Sequence, residues 1–213
     1  MNAHVLPFRR PNGLRLLDLC CGAGGLSMGY YLAGFDITGV DHRPQPNYPF
    51  TFHQADALTF PLDGYDLVHA SWPCERFSKA TAARGNRDSH PDLLTPGRAR
   101  LRVSGLPYVI ENVPETVTPG LLRPDYRLCG TQFGLNVRRH RVFETSWRGG
   151  GDLVAPCWHR KDLLAFVHKG ERAYADAMGC TWMTNLEARK AVPPAYSQWI
   201  AAQFLTLQGR NAA

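Results

Sequence analysis

Between Leu14 and Leu32 the chain runs from an apolar stretch through a glycine turn into a helix, and that order restricts the fold sharply. Leu14 to Cys21 (Leu-Arg-Leu-Leu-Asp-Leu-Cys-Cys) is apolar with one acid, Asp18, in it, which predicts a buried first strand. Gly22-Ala23-Gly24-Gly25 follows at once, and Leu26, Met28, Tyr30, Tyr31 and Leu32 then mark a helix that Gly34 stops. Strand, glycine turn and helix open a nucleotide-binding βαβ unit. The glycines let backbone approach a ligand closely, and the helix start offers unpaired N–H groups. Phe35 to Val40 reads as a second strand ending at Asp41. Asp41 lies about 20 residues past the turn, where an acid at a strand end accepts hydrogen bonds from ribose hydroxyls. Thr51 to Asp56 reads as a third strand, again ending in an acid.

A fourth apolar run, Tyr65 to Ala70, leads into Ser71-Trp72-Pro73-Cys74-Glu75-Arg76-Phe77-Ser78. Proline cannot donate to a sheet ladder, so the strand stops and Cys74 falls on the loop after it. α/β sheets place their chemistry at that end. A free cysteine is ordinarily a small buried hydrophobe. Glu75, Arg76 and Ser78 are too polar for a core, and Arg76 favours a thiolate. The stretch from Lys79 to Pro96 reads as a long polar loop with Arg84 and Arg87, either a lid over a phosphate backbone or a solvated surface. A helix is expected from Gly97 to Ser104. Leu106 to Ile110 is a strand ending in Glu111-Asn112, and a charge closing a β-branched run is rarely packing. Arg139 and Arg141 alternate on an extended stretch, so both are expected to face one site. Arg138 beside them is a phosphate contact in this reading, with Arg84 and Arg87.

The 213 residues suffice for one α/β domain, or one domain plus a small appendage. A net charge of +6 favours a polyanionic partner. No apolar stretch approaches ~18 residues, which excludes a membrane span on this reading. The start carries Arg9 and Arg10 but no apolar signal core, so a cytoplasmic location and reduced thiols are expected for the six cysteines. Cys157, His159, His168 and Cys180 do not form a paired Cys-x-x-Cys pattern, so no metal is expected. Trp147, Trp158 and Trp182 are expected to form a small core.

The Pro-Cys-x-x-Phe-Ser string at 73–78 resembles the nucleophile motif of the cytosine-C5 DNA methyltransferases. Four further blocks resemble that family in its order: Asp18 with the Gly22 turn, Glu111-Asn112-Val113, the Arg139/Arg141 pair, and Val192-Pro193-Pro194 before a final helix. The chain departs from the pattern at Cys20, Glu75, Val137 and Arg189-Lys190-Ala191, where the family has Phe, Gln, Gln and Gly-Asn-Ser. It also has only about 45 residues where the family inserts a large target-recognition domain, and so resembles small bacteriophage-encoded members. The resemblance implies a doubly wound, mostly parallel α/β sheet of the S-adenosylmethionine-dependent methyltransferase (Rossmann-like) type. It implies a catalytic domain over 1–145, an appendage over 146–190 and a returning C-terminal helix over 191–213. It implies S-adenosylmethionine held by Asp18, Cys20, Gly22, Ala23, Gly24, Gly25, Asp41, His42, Asp56 and Ala57. Cys74 would attack C6 of a flipped cytosine in DNA, Glu111 would hold the ring, and Arg139 and Arg141 would hold O2 and a phosphate. Ser78 would join the nucleic-acid contacts. A tRNA substrate, a larger donor group and a non-catalytic nucleic-acid-binding role are the alternatives. A homodimer or a specificity partner would compensate for the missing recognition domain.

Overall fold

The computed structural model describes residues 6–147, 154–164 and 172–209. Its strands are β1 (Arg15–Leu19), β2 (Asp36–Asp41), β3 (Thr51–Gln54), β4 (Leu67–Ala70), β5 (Tyr108–Asn112), β6 (Tyr126–Leu128) and β7 (Arg141–Thr145). They form one seven-stranded sheet in the order β3-β2-β1-β4-β5-β7-β6. The first five are parallel, while β7 runs antiparallel to both β5 and β6. The strand order reverses between β1 and β4. Such a switch point opens a crevice at the carboxyl ends of its two strands. The glycine turn after β1 and the Cys74 loop after β4 both emerge there.

Two helical layers bury the sheet. On one face lie α1 (Gly25–Leu32) and α6 (Pro194–Leu207), which share a core with Leu16, Phe35, Phe143, Tyr196, Ile200 and Phe204. The helices touch backbone to backbone. A Cβ on Gly29 would lie 2.0 Å from the Pro194 carbonyl oxygen, and Ser197 Oγ donates to the Leu26 carbonyl at 2.6 Å. On the other face, α3 (Leu94–Val103) covers Leu17, Val68, Ile110 and Trp72. Gly97 sits against the Trp72 ring, which a Cβ would meet at 2.2 Å. Arg98 on α3 pairs with the fully buried Glu144 of β7 at 2.9 Å. Tyr108 Oη and the Arg123 amide also donate to that carboxylate, so the buried charge is well satisfied.

Several boundaries move. The stretch expected to be a long loop contains α2 (Lys79–Ala82), capped by Ser78, and a single 3-10 turn over Arg87–Ser89. Helix α3 starts earlier than expected because Asp92 accepts from the Thr95 amide at 3.0 Å. β3 stops at Gln54, which leaves Asp56 beyond the strand. β5 continues through Glu111 and Asn112, because β7 pairs with them. The expected tryptophan core does not form. Trp147 packs on Phe204, Trp158 is 69% exposed, and Trp182 donates to the Ala23 carbonyl at 2.8 Å. Instead, α4 (Ala173–Ala177) and α5 (Asn185–Lys190) pack Tyr174, Met178, Met183 and Ala188 onto Ala23 and Val137. Among the described residues, no helix is long and apolar enough to cross a membrane.

Candidate active site

The backbone around the glycine turn is shaped for close approach. Cys20 has φ 58°, the only non-glycine residue described with positive φ, and Gly22 and Gly24 follow at 51° and 85°. These left-handed turns swing the chain from β1 into α1, whose first residue is Gly25. A Cβ on Gly25 would lie 2.4 Å from the Val192 carbonyl oxygen, so the Val-Pro-Pro stretch closes one side of the turn. A Cβ on Gly22 would meet nothing within 4 Å, and the turn is open there.

Three acids surround this turn. Asp18 is 1% exposed; its Oδ2 accepts from Ser27 Oγ, which also bonds Tyr48 Oη at 2.8 Å. Its Oδ1 is buried with no hydrogen-bond partner. Burial, with Asp41 and Glu111 nearby, lifts the Asp18 carboxyl to about 7 despite the Ser27 hydrogen bond. Asp41 ends β2 and accepts from the Gly22 amide at 3.1 Å and the Arg43 amide at 3.0 Å. It therefore fixes the turn's shape as well as presenting a carboxylate. His42, beside it, is exposed. Asp56 is exposed and caps its own turn through the Leu58 amide at 2.8 Å, while Ala57 is buried. Cys20, Ala23, Gly24 and Gly25 line the same turn, so the residues expected around a cofactor converge on the ends of β1, β2 and β3.

Cys74 follows β4 by four residues and is partly buried. Asn112 anchors its loop. Asn112 Nδ2 donates to the Trp72 carbonyl at 2.9 Å, and Asn112 Oδ1 accepts from the Val113 amide at 2.9 Å. Glu111, 6% exposed, pairs with Arg141 Nε at 2.8 Å across the β5–β7 ladder. Burial raises the Glu111 pKa against the pull of Arg141 and Arg139. Burial also raises the Cys74 thiol above its ordinary range, with Arg141 and Arg139 lowering it and Glu111 and Glu75 raising it. The thiol, the carboxyl and the two guanidiniums thus feel one another electrically.

The arginine pair divides its work. Arg141 pairs with Glu111. Arg139 is 4% exposed and donates to Tyr174 Oη at 2.9 Å and to the Arg189 and Lys190 carbonyls at 3.0 Å each. It caps the C-terminus of α5, where a cation complements the helix dipole. These three hydrogen bonds hold Arg139 in place, and it still lowers the pKa of both Cys74 and Glu111. Sequence offered no sign of them, since the partner carbonyls lie 50 residues away. Ser78 caps α2 through the Thr81 amide at 3.2 Å, whereas Arg84, Arg87 and Arg138 are exposed.

No family model matches the chain. It is 25% identical over 190 residues to the type II methyltransferase M.AplI of Arthrospira platensis, covering 76% of this chain and 52% of that protein. The chain thus spans about half the length of this curated relative. Among solved structures it is similar to the S. pombe Dnmt2 methyltransferase, with a TM-score of 0.55 and 14% identity, over 92% of this chain and 99% of that one. A methyltransferase of Entamoeba histolytica, EhMeth, aligns at TM-score 0.45 and 14% identity, over 62% and 52% of the two chains. The mostly parallel seven-stranded sheet, with its antiparallel β7 between β5 and β6, is the Rossmann-like methyltransferase fold.

Proposed function

We propose that the chain is a cytosine-C5 methyltransferase that modifies DNA with S-adenosylmethionine as donor. One observation carries this reading. The switch point of the sheet brings an open glycine turn, a cysteine on the loop after β4, and a buried Glu111–Arg141 pair to adjoining strand ends. The chain's weak likeness to a type II methyltransferase supports it.

The residues at the turn fit the cofactor. Asp18 Oδ1 is a buried acceptor without a partner, Gly22 leaves room, and Asp41 offers a carboxylate at the strand end. Asp18, Cys20, Gly22, Ala23, Gly24, Gly25, Asp41, His42, Asp56 and Ala57 would hold S-adenosylmethionine, which supplies an electrophilic methyl. The target base must leave the duplex stack to reach Cys74. Cys74 passes its thiol proton to water and the thiolate sulfur adds to C6, so that C5 becomes an enamine-like nucleophile. Glu111, whose raised pKa favours a carboxyl proton, donates to N3 and accepts from the exocyclic amine. Once C5 carries the methyl, a base such as water takes the C5 proton and the thiolate leaves, restoring the aromatic ring. The covalent step splits one hard substitution into easier ones.

The test is a transfer assay with labelled S-adenosylmethionine on duplex DNA and, separately, on tRNA, followed by mass analysis of the digested nucleosides. The expected product is 5-methylcytosine in DNA, absent with Cys74→Ser although that variant still binds cofactor. Product in tRNA alone, a heavier group on C5, or DNA binding without turnover would each overturn the DNA methyltransferase reading.

A further inference from the structure

Four side chains that the proposed chemistry does not use converge at the β6–β7 connection. Cys129 directly follows β6, His140 directly precedes β7, and Cys157 and His159 lie on the 154–164 segment. Their ligand atoms all lie within 4.8 Å of one another. Cys129 Sγ is 3.4 Å from His159 Nε2, and Cys157 Sγ is 3.5 Å from His140 Nε2. The two imidazoles stand edge to face with ring centroids 4.9 Å apart. A tetrahedral zinc, with Zn–S of about 2.3 Å and Zn–N of about 2.0–2.1 Å, sets S···N edges of about 3.5 Å. The observed distances match those edges.

We propose that Cys129, His140, Cys157 and His159 bind one zinc ion as a closed, structural Cys2His2 site. Two thiolates and two imidazoles are the donor set that selects such a borderline-soft cation over magnesium or calcium. Four protein ligands leave no open position, so the ion takes no part in transfer. Cys129 is 1% exposed, so its sulfur is presented from inside the fold.

The surroundings give the ion a purpose. The 154–164 segment has few apolar anchors of its own, and Trp158 is exposed. It lies along residues 130–138 by polar links: Gln132 Nε2 to the Ala155 carbonyl at 2.6 Å, the Trp158 amide to Thr131 Oγ1 at 3.2 Å, and the Arg138 amide to the Leu164 carbonyl at 2.8 Å. Zinc would fasten this segment to the β6–β7 connection. It would also fix His140, which stands between Arg139 and Arg141.

The experiment is elemental analysis of the full chain, expressed with zinc in the medium and freed of loose metal by gel filtration. The expected result is one zinc per chain, released when a mercurial reagent titrates the thiols. Cobalt loading should give the intense sulfur-to-metal charge-transfer band and tetrahedral visible bands of two-thiolate coordination. The Cys157→Ser/His159→Ala variant should hold the ion at least about tenfold more weakly, while Cys180→Ser, which alters a buried thiol outside the cluster, should keep it. Metal-free protein, or a mass showing an oxidised Cys129–Cys157 pair in the protein as isolated, would overturn the proposal. Full zinc retention by the double variant would also overturn it. If that variant does not fold, the cobalt spectrum of the unaltered chain decides the question, since a spectrum without thiolate charge transfer refutes the site.

Discussion

Asp18 is a carboxyl group enclosed in the middle of a sheet. Its pKa rises from an ordinary 3.8 to about 7, so the native chain holds a proton there that the unfolded chain has released. Where the native state binds more protons, stability falls as pH rises. The loss attributable to Asp18 should therefore develop between about pH 4 and 7 and be absent below. Asp18→Asn keeps the shape and an acceptor for Ser27 but cannot ionise. Its melting temperature relative to the parent should climb through that window, as thermal scans of the cofactor-free protein at stepped pH would show. A difference that does not change with pH would mean Asp18 is already ionised in the folded state. At this scale the placement of Asp41 at the end of β2 and of Cys74 on the loop after β4 was legible in the sequence, because each follows a recognisable apolar run. Arg139 was not legible, because its role depends on carbonyls of α5 that no local pattern announces.

Gly29 shows how an element can depend on an absent atom. It lies mid-helix in α1, where glycine costs up to about 1 kcal/mol relative to alanine. Yet a Cβ there would sit 2.0 Å from the Pro194 carbonyl oxygen and 2.2 Å from Ser197 Oγ. Overpacking of that kind costs about 1–3 kcal/mol. Gly29→Ala should consequently lower the melting temperature by a few degrees, at roughly 2–4 °C per kcal/mol in a chain of this size. An unchanged or higher melting temperature would show that α1 and α6 can separate freely. Most elements were legible because period and punctuation agree: β1 with its glycine turn, α1 stopped at Gly34, β4 stopped before Pro73, and α6 opened by prolines. Those set by long-range pairing or capping were not. β5 runs on through Glu111 because β7 pairs with it, and Asp92 starts α3 three residues early. The Cys129–His140–Cys157–His159 cluster escaped for the same reason. Its side chains come from three separate segments, so no Cys-x-x-Cys pairing marks them in the sequence. Cys180 is buried among α4 and α5 residues, and His168 lies outside the described residues.

The chain as a whole is small and basic, with a Rossmann-like sheet. Arg84, Arg87 and Arg138 are exposed, and the net charge is +6. Phosphate contacts are independent of base sequence and weaken steeply with salt. Each good bidentate base contact, by comparison, gives about 1–3 kcal/mol of discrimination. Among the described residues, α4 and α5 are committed to packing on Ala23 and Val137, which leaves them little freedom to supply such contacts. Methylation mapped at base resolution with the purified chain alone should therefore give a relaxed target, or a short one on the order of two or three base pairs, each good contact being worth ~1–3 kcal/mol. A strict longer site would show that readout comes from elsewhere, a second copy or a partner included. The central claim is that Cys74 forms a bond to the base. A duplex carrying 5-fluorocytosine tests it most directly, because fluorine at C5 cannot leave as a proton and the sulfur–C6 adduct is trapped. Incubated with S-adenosylmethionine, the chain should form a denaturation-resistant protein–DNA conjugate whose peptide map places the link at Cys74. The conjugate should be absent with Cys74→Ser and without cofactor. Methyl transfer to ordinary cytosine without any trapped conjugate, or a link at another residue, would contradict the account.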